Sequence, residues 1–202
     1  SIGDVSVFSF YATKILTTGE GGIITTNNQE IYHRCLKIRN HGRNLKNNLF
    51  ETCGNNFRLP EISALIGIYQ LKYIKKSILH RNKLANIYNT LLSEKKYFEK
   101  FEFQKDSKNS FWRYPIYLNK KIDRLTLQSR LAKKYKIRIT WMYEPLCHLQ
   151  PLYRRKKKTV LPVAENTIQR LINLPTHLNV SEKDAKKICN LIILECSLLY
   201  ND

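Results

Sequence analysis

The chain has 202 residues, is 43% hydrophobic and holds only 7 Gly and 6 Pro, which suits one globular domain or part of a larger one with a small second unit. No run reaches the roughly 20 apolar residues that span a bilayer. Against 16 acidic residues stand 35 Lys and Arg, a net charge of +19, spread through every segment with no RNA-binding signature, aromatic platform or zinc finger beside it; a solvated Lys-rich surface accounts for it better than a nucleic-acid interface.

The densest basic patch, RRKKK at 154–158, keeps nucleic-acid or anionic-surface binding open as an alternative. The five cysteines, Cys35, Cys53, Cys147, Cys189 and Cys196, form no CxxC pair and have no histidine at zinc-finger spacing. No metal site is expected. An odd count without a disulfide framework fits a reducing compartment, so a cytoplasmic location is expected. The chain opens at Ser1 directly into a strand-like run without Met, which reads as a fragment or truncated product.

In chain order, VSVFSF (5–10) alternates as a strand does. GGIITT (21–26) reads as a second strand closed by Asn27 and Asn28. NQEIYHRCLKIRN (28–40) places Ile31, Cys35 and Ile38 at helical spacing and stops at Gly42. Residues 43–56 are Asn-rich and read as a loop. A helix begins at Pro60-Glu61, a proline in the first turn beside an acid. Its stripe of Ile62, Leu65, Ile66, Tyr69 and Leu71 runs on through Leu84, Ile87, Tyr88 and Leu91, as one very long helix or two joined near His80.

Beyond residue 95, YFEKFEF (97–103), FWRYPIYL (111–118) and IRITW (137–141) read as strands. IDRLTLQSRLAKKY (122–135) is an amphipathic helix, and LPVAENTIQRLINLP (161–175) a short helix bounded by prolines. Ser181 is placed to cap a last helix striped by Ala185, Ile188 and Leu191. NLIILECSLLY (190–200) is apolar but broken by Glu195, the mark of a helix packed into a core. The alternation predicts a small α/β domain.

The connection between the first two strands holds Lys14. A lone lysine there would simply be solvated. Ser9 lies five residues before it, and Thr17 and Thr18 follow with further hydroxyls suited to phosphate oxygens. Gly19, Gly21 and Gly22 remove side chains where something approaches the backbone or where φ is positive. Each is a turn feature alone; together they describe a phosphate pocket beside an amine.

These residues resemble a known family. GDVSVFSFYATKILTTGEGGIITTN (3–27) is similar to the lysine segment of the DegT/DnrJ/EryC1/StrS sugar aminotransferases, which use pyridoxal 5′-phosphate (PLP). RNHG (39–42), GNNFRLPEISALIGIYQL (54–71), HRNKLANIY (80–88), EPLCHLQPLY (144–153) and LPVAENTIQRLINLP follow in the family's order. Leu65 departs from the usual Ala. The likeness covers essentially the whole chain.

The resemblance implies an α/β, fold type I PLP-dependent aminotransferase, with residues 1–80 as the latter part of the large domain and 81–202 as the small C-terminal domain. It implies transfer of an amino group from an amino-acid donor, with glutamate expected, to a nucleotide-linked keto-sugar, for amino-sugar or surface-polysaccharide synthesis. Lys14 would hold PLP and carry the proton. Ser9 would donate to the cofactor phosphate. Asn56 would reach the phosphate in the neighbouring subunit's site, making a homodimer with shared active sites, although on its own it also reads as a loop asparagine. His148 would face the nucleotide sugar from the partner subunit, a surface or core-satisfied histidine being the other reading. His41 and Arg58 are further substrate-binding candidates, Arg58 reading equally as a helix-entry charge, and Glu20 and Gly21 shape the turn. A lysine rather than a histidine at position 14 argues against the family's dehydratase branch.

The family's N-terminal half, with its carboxylate for the pyridine nitrogen, its ring-stacking aromatic and a second phosphate loop, has no counterpart here, and Asp4 is not that carboxylate. A truncated, catalytically inactive remnant or structural partner is therefore the rival reading. A basic nucleic-acid binder is the third.

Overall fold

The computed structural model describes residues 3–99, 107–153 and 159–201. RRKKK and residues 100–103 of YFEKFEF lie outside them. The chain divides into two compact units, Ser1–Lys76 and Ser77–Asp202. Helices and strands mix in both, as the α/β class requires.

In the first unit, β1 (Val5–Ser9) and β2 (Gly22–Thr26) form an antiparallel hairpin with Val5 opposite Thr26 and Ser9 opposite Gly22. Asn28 then caps α1 (Gln29–Ile38), its Oδ1 accepting from Glu30 N at 2.9 Å and Ile31 N at 3.1 Å. Glu30 in the first turn and Lys37 in the last complement the helix dipole. The chain leaves α1 through His41 and Gly42, at φ 60° and 80°. α2 (Glu61–Leu71) follows Pro60, which holds the cap position.

Of the two expectations for this stretch, two helices form, and only the position of the joint is corrected. α3 (Ile74–Leu92) is a separate helix, and the break falls at Lys72–Tyr73, with His80 inside α3. Lys72 N and Tyr73 N donate three residues back, to Tyr69 O at 3.3 Å and Gln70 O at 2.9 Å. Such bonds tighten and end an α-helical turn.

The second unit is built on the antiparallel sheet β3 (Phe98–Glu99), β4 (Tyr114–Leu118) and β5 (Leu171–Leu174), with β4 in the middle. Its helices are α4 (Arg124–Tyr135), α5 (Pro162–Arg170) and α6 (Glu182–Asn201). Tyr114, Ile116 and Leu118 alternate inward along β4. They join Leu84 and Tyr88 of α3, Leu127 and Leu131 of α4, and Cys189 and Ile192 of α6 in one buried cluster.

Three expectations shift. FWRYPIYL becomes strand only at Tyr114, because Phe111 sits at φ 44° and Arg81 donates to the carbonyls of Phe111 and Trp112, at 3.4 and 3.3 Å. IRITW forms no strand; Thr140 makes an isolated bridge to Asn173, whose N–H donates to Thr140 O at 2.6 Å. The 161–175 helix ends at Arg170. Leu171–Leu174 instead pairs with β4 and buries Ile172, Asn173 and Leu174, a tertiary pairing that helical periodicity does not display.

Ser181 caps α6 as expected. Its Oγ accepts from Asp184 N at 3.1 Å, and Asp184 Oδ2 accepts from Ser181 N at 3.1 Å, the reciprocal form of a capping box. Glu195 of α6 is fully buried, with Lys134 Nζ and the Tyr135 hydroxyl each donating to it at 2.9 Å from α4. Arg130 stands 3.8 Å away. Burial pushes the Glu195 carboxyl up, but the Lys134 and Tyr135 bonds and the neighbouring cations outweigh it and hold the group below the usual range.

Candidate active site

The segment from Phe10 to Gly21 closes the β1–β2 hairpin and carries Lys14. Phe10 N donates to Gly21 O at 2.9 Å, extending the ladder one step. The Phe10 carbonyl then accepts twice, from Thr18 N at 2.9 Å and Thr17 Oγ1 at 3.0 Å. Thr17 Oγ1 in turn accepts from Gly19 N at 3.0 Å, and Thr18 Oγ1 donates to Glu20 O at 2.7 Å. The paired threonines thus serve as internal struts of the turn, each hydroxyl donating to a backbone carbonyl.

Gly19 needs its φ of 80°. At Gly21 a Cβ would stand 2.6 Å from Thr18 Oγ1 and 2.7 Å from Leu59 Cδ1, so the glycine makes room for packing. Within this frame Lys14 is half-buried, and its N–H donates to Tyr11 O at 2.9 Å. Ser9, at the exposed end of β1, accepts from Tyr11 N at 3.3 Å through its Oγ.

A second constellation joins two separate motifs. Asn40 bridges Asn56, His41 N donates to Asn55 O at 3.0 Å, Asn55 N to Ile38 O at 3.0 Å and Phe57 N to Arg39 O at 2.9 Å. Arg58 Nη1 donates to Asn40 Oδ1 at 2.7 Å. RNHG and GNNFR therefore form one seam that gathers His41, Asn56 and Arg58, all exposed. The seam closes at Gly42, where a Cβ would stand 1.6 Å from Thr52 O. Beside it Glu51 collects Lys37 at 2.5 Å, Asn44 at 2.8 Å and Asn47 at 3.0 Å. Those bonds, Lys37 first, hold its carboxyl down to about 2.

His148 belongs to the second unit, in a short 3₁₀ turn, Cys147–Leu149. Its Nε2 lies 2.9 Å from Glu165 Oε1, which also accepts from Leu161 N at 2.9 Å. Arg124 anchors the preceding segment: it stacks over Trp141 at 3.9 Å, pairs with Glu144 at 2.7 Å and donates to the Ile168 carbonyl. An apolar cavity of about 590 Å³ opens alongside, lined by Leu146, Leu161, Val163, Ile168 and Leu171.

The family model for the DegT/DnrJ/EryC1/StrS aminotransferases matches residues 1–193. The chain belongs to the DegT/DnrJ/EryC1/StrS aminotransferase family. It is 32% identical over 193 residues to the GDP-perosamine synthase of Escherichia coli O157:H7, covering 95% of this chain and 52% of that protein. To the UDP-4-amino-4,6-dideoxy-N-acetyl-beta-L-altrosamine transaminase of Helicobacter pylori it is 33% identical over 196 residues, covering 93% and 51%. The solved structure of Helicobacter pylori PseC, an aminotransferase of pseudoaminic acid biosynthesis, superposes with a TM-score of 0.85 at 29% identity over 96% of this chain and 53% of that one. The fold is thus the fold type I aminotransferase architecture, and the chain spans about half the length of the curated relatives it matches.

Against that family frame, Ser9, Lys14, Asn56, His41 and Arg58 lie in the first unit and His148 in the second. Sequence reading passed over Gln70, whose Oε1 accepts from Thr17 N at 3.1 Å, and Glu165, which holds His148. Gln70 left one signal, its place in the matched segment GNNFRLPEISALIGIYQL. Glu165 left another, an acid in the first turn of a helix. Among the described residues no helix is long and apolar enough to cross a membrane, and no cluster of three His, Cys, Asp or Glu is set to hold a metal.

Proposed function

We propose that the whole protein is a PLP-dependent aminotransferase that transfers an amino group from glutamate to a nucleotide-linked keto-sugar in amino-sugar and polysaccharide synthesis. The observation that carries the reading is the braced turn that presents Lys14 five residues beyond Ser9. The residues suit the cofactor. Lys14 supplies a primary amine from a half-buried position, and Ser9 supplies a hydroxyl donor at an exposed strand end, suited to a phosphate oxygen. Bound there, PLP supplies an electron sink for charge that develops at the donor's α-carbon.

The chain's own residues do the rest. Lys14 Nζ would hold the cofactor until the donor's amino group displaces it; freed as an amine, it would take the proton from the donor's α-carbon and later return one to the sugar carbon that gains nitrogen. The struts at Thr17 and Thr18 fix where that nitrogen starts. Asn56, held in one seam with His41 and Arg58, serves the site of a second copy, and His148 serves the sugar nucleotide. Residues 1–80 form the latter part of the cofactor-binding domain and 81–202 the small domain, a division supported by the compact units Ser1–Lys76 and Ser77–Asp202. The remainder of the site comes from the polypeptide that the relatives have and this chain does not. A net charge of +19 favours an anionic nucleotide sugar, and five free cysteines suit a reducing cytoplasm.

Borohydride reduction of the whole protein with PLP should fix the cofactor's mass on Lys14 and on no other lysine. Lys14→Ala should abolish both the label and transamination. Transamination near the parent rate in that variant would refute the role.

A further inference from the structure

We propose that Gln70 is a positioning residue for Lys14, a role that rests on the function proposed above. The lysine turn is braced mostly from within, through Phe10, Thr17, Thr18 and Glu20. Thr17 N reaches outside it, to Gln70 Oε1 at 3.1 Å on α2, a partner 53 residues away in sequence. That bond ties the segment just after Lys14 to a rigid helix.

α2 is shaped for this contact. Its less exposed positions are Ser63, Ala64, Gly67 and Gln70, a single small and polar stripe, whereas Ile62, Leu65 and Ile68 are 76%, 67% and 62% exposed. The helix thus turns its polar stripe inward, the reverse of the usual amphipathic arrangement. Gly67 sets the approach: a Cβ there would stand 3.0 Å from Thr18 Cγ2. Without that clearance the Gln70 amide would be held back from Thr17. An acceptor is required at this point, because a part-buried N–H left without one is costly, and the Gln70 amide oxygen supplies it.

The test compares Gln70→Ala and Gln70→Glu in the whole protein, by amide hydrogen exchange at Thr17 and by the rate at which borohydride fixes PLP to Lys14. Loss of the bond in Gln70→Ala should speed Thr17 exchange about fivefold to tenfold, the size of one hydrogen bond, and slow Lys14 labelling by a similar factor. Gln70→Glu, which keeps the acceptor, should restore both. Thr17 exchange unchanged in Gln70→Ala would overturn the bond. Faster exchange with labelling at the parent rate would reduce Gln70 to a structural strut and overturn its role toward Lys14. A parent protein that never takes the label would instead strike the proposed function itself, and that failure shows before any variant is made.

Discussion

Two neighbouring stretches of helix show how differently the units use apolar residues. In α3 Leu84 and Tyr88 are wholly buried, while in α2 Ile62 is 76% exposed. The contrast holds throughout. The second unit closes around a core drawn from three helices and two strands. Among the described residues of Ser1–Lys76, Thr18 and Gly42 alone are buried. Val7 and Phe8, successive residues that point to opposite faces of β1, are 72% and 52% exposed, and Ile23 and Ile24 of β2 follow suit. A strand pair apolar on both faces has the composition of a sheet interior covered on two sides. The second unit therefore has a buried core of its own, and the first leaves its apolar strand and helix residues largely exposed. That division agrees with a chain spanning about half of its relatives.

The sharpest way to break this comparison is by thiol labelling. Burial raises the Cys189 thiol to about 12, and burial with the nearby Glu195 charge does the same for Cys196. Cys53 of the first unit and Cys147 are exposed. In the native chain a thiol reagent should take the exposed pair at once and reach Cys189 and Cys196 only as the second unit opens. Mass mapping of early labelling checks this. Next in size, Leu131→Ala should cost about 2–5 kcal/mol in denaturant unfolding, and Ile62→Ala in this chain should stay within about 0.5 kcal/mol. Equal costs would erase the difference between the units.

A smaller effect belongs to the buried acid. Glu195→Gln should cost about 1–3 kcal/mol, less than a buried ion usually demands because Lys134 keeps half its side chain in water. The folded carboxyl sits below its ordinary value, so its contribution is complete above the unfolded carboxylate range and fades as pH falls through the folded value. The gap between parent and Glu195→Gln should narrow on acidification. Smallest is Glu51, exposed and held down to about 2 by Lys37, Asn47 and Asn44. Its bonds persist above about 4.5 and loosen toward about 2. Amide exchange in residues 42–54 should quicken over that window, and Glu51→Gln should flatten the dependence.

Local signals in the sequence were reliable where local chemistry decides the outcome. Ser181 announced its cap, the glycines announced the lysine turn, and Glu195 marked a helix bound for a core. Reading failed where a distant partner decides. LINL follows a helix without a break in hydrophobicity, and only pairing with β4 makes it a strand. FWR looks extended until Arg81 holds its carbonyls. The site divides in the same way. The turn that carries Lys14 was legible from its glycines, whereas the seam that gathers Asn56, His41 and Arg58 depends on a backbone bridge between motifs that lie apart in sequence. The Thr17 and Thr18 hydroxyls, which suggested phosphate contacts, brace the turn instead.

The pinch at Gly42 has a practical outcome for protein engineering. Because Thr52 O occupies the space of any side chain there, and a Cβ on Gly54 would stand 2.3 Å from Gly42 N, RNHG and GNNFR form one joint. Chimeras that exchange either motif alone with a relative would inherit a mismatched joint, and only grafts carrying 39–58 intact would keep the three exposed polar groups in register.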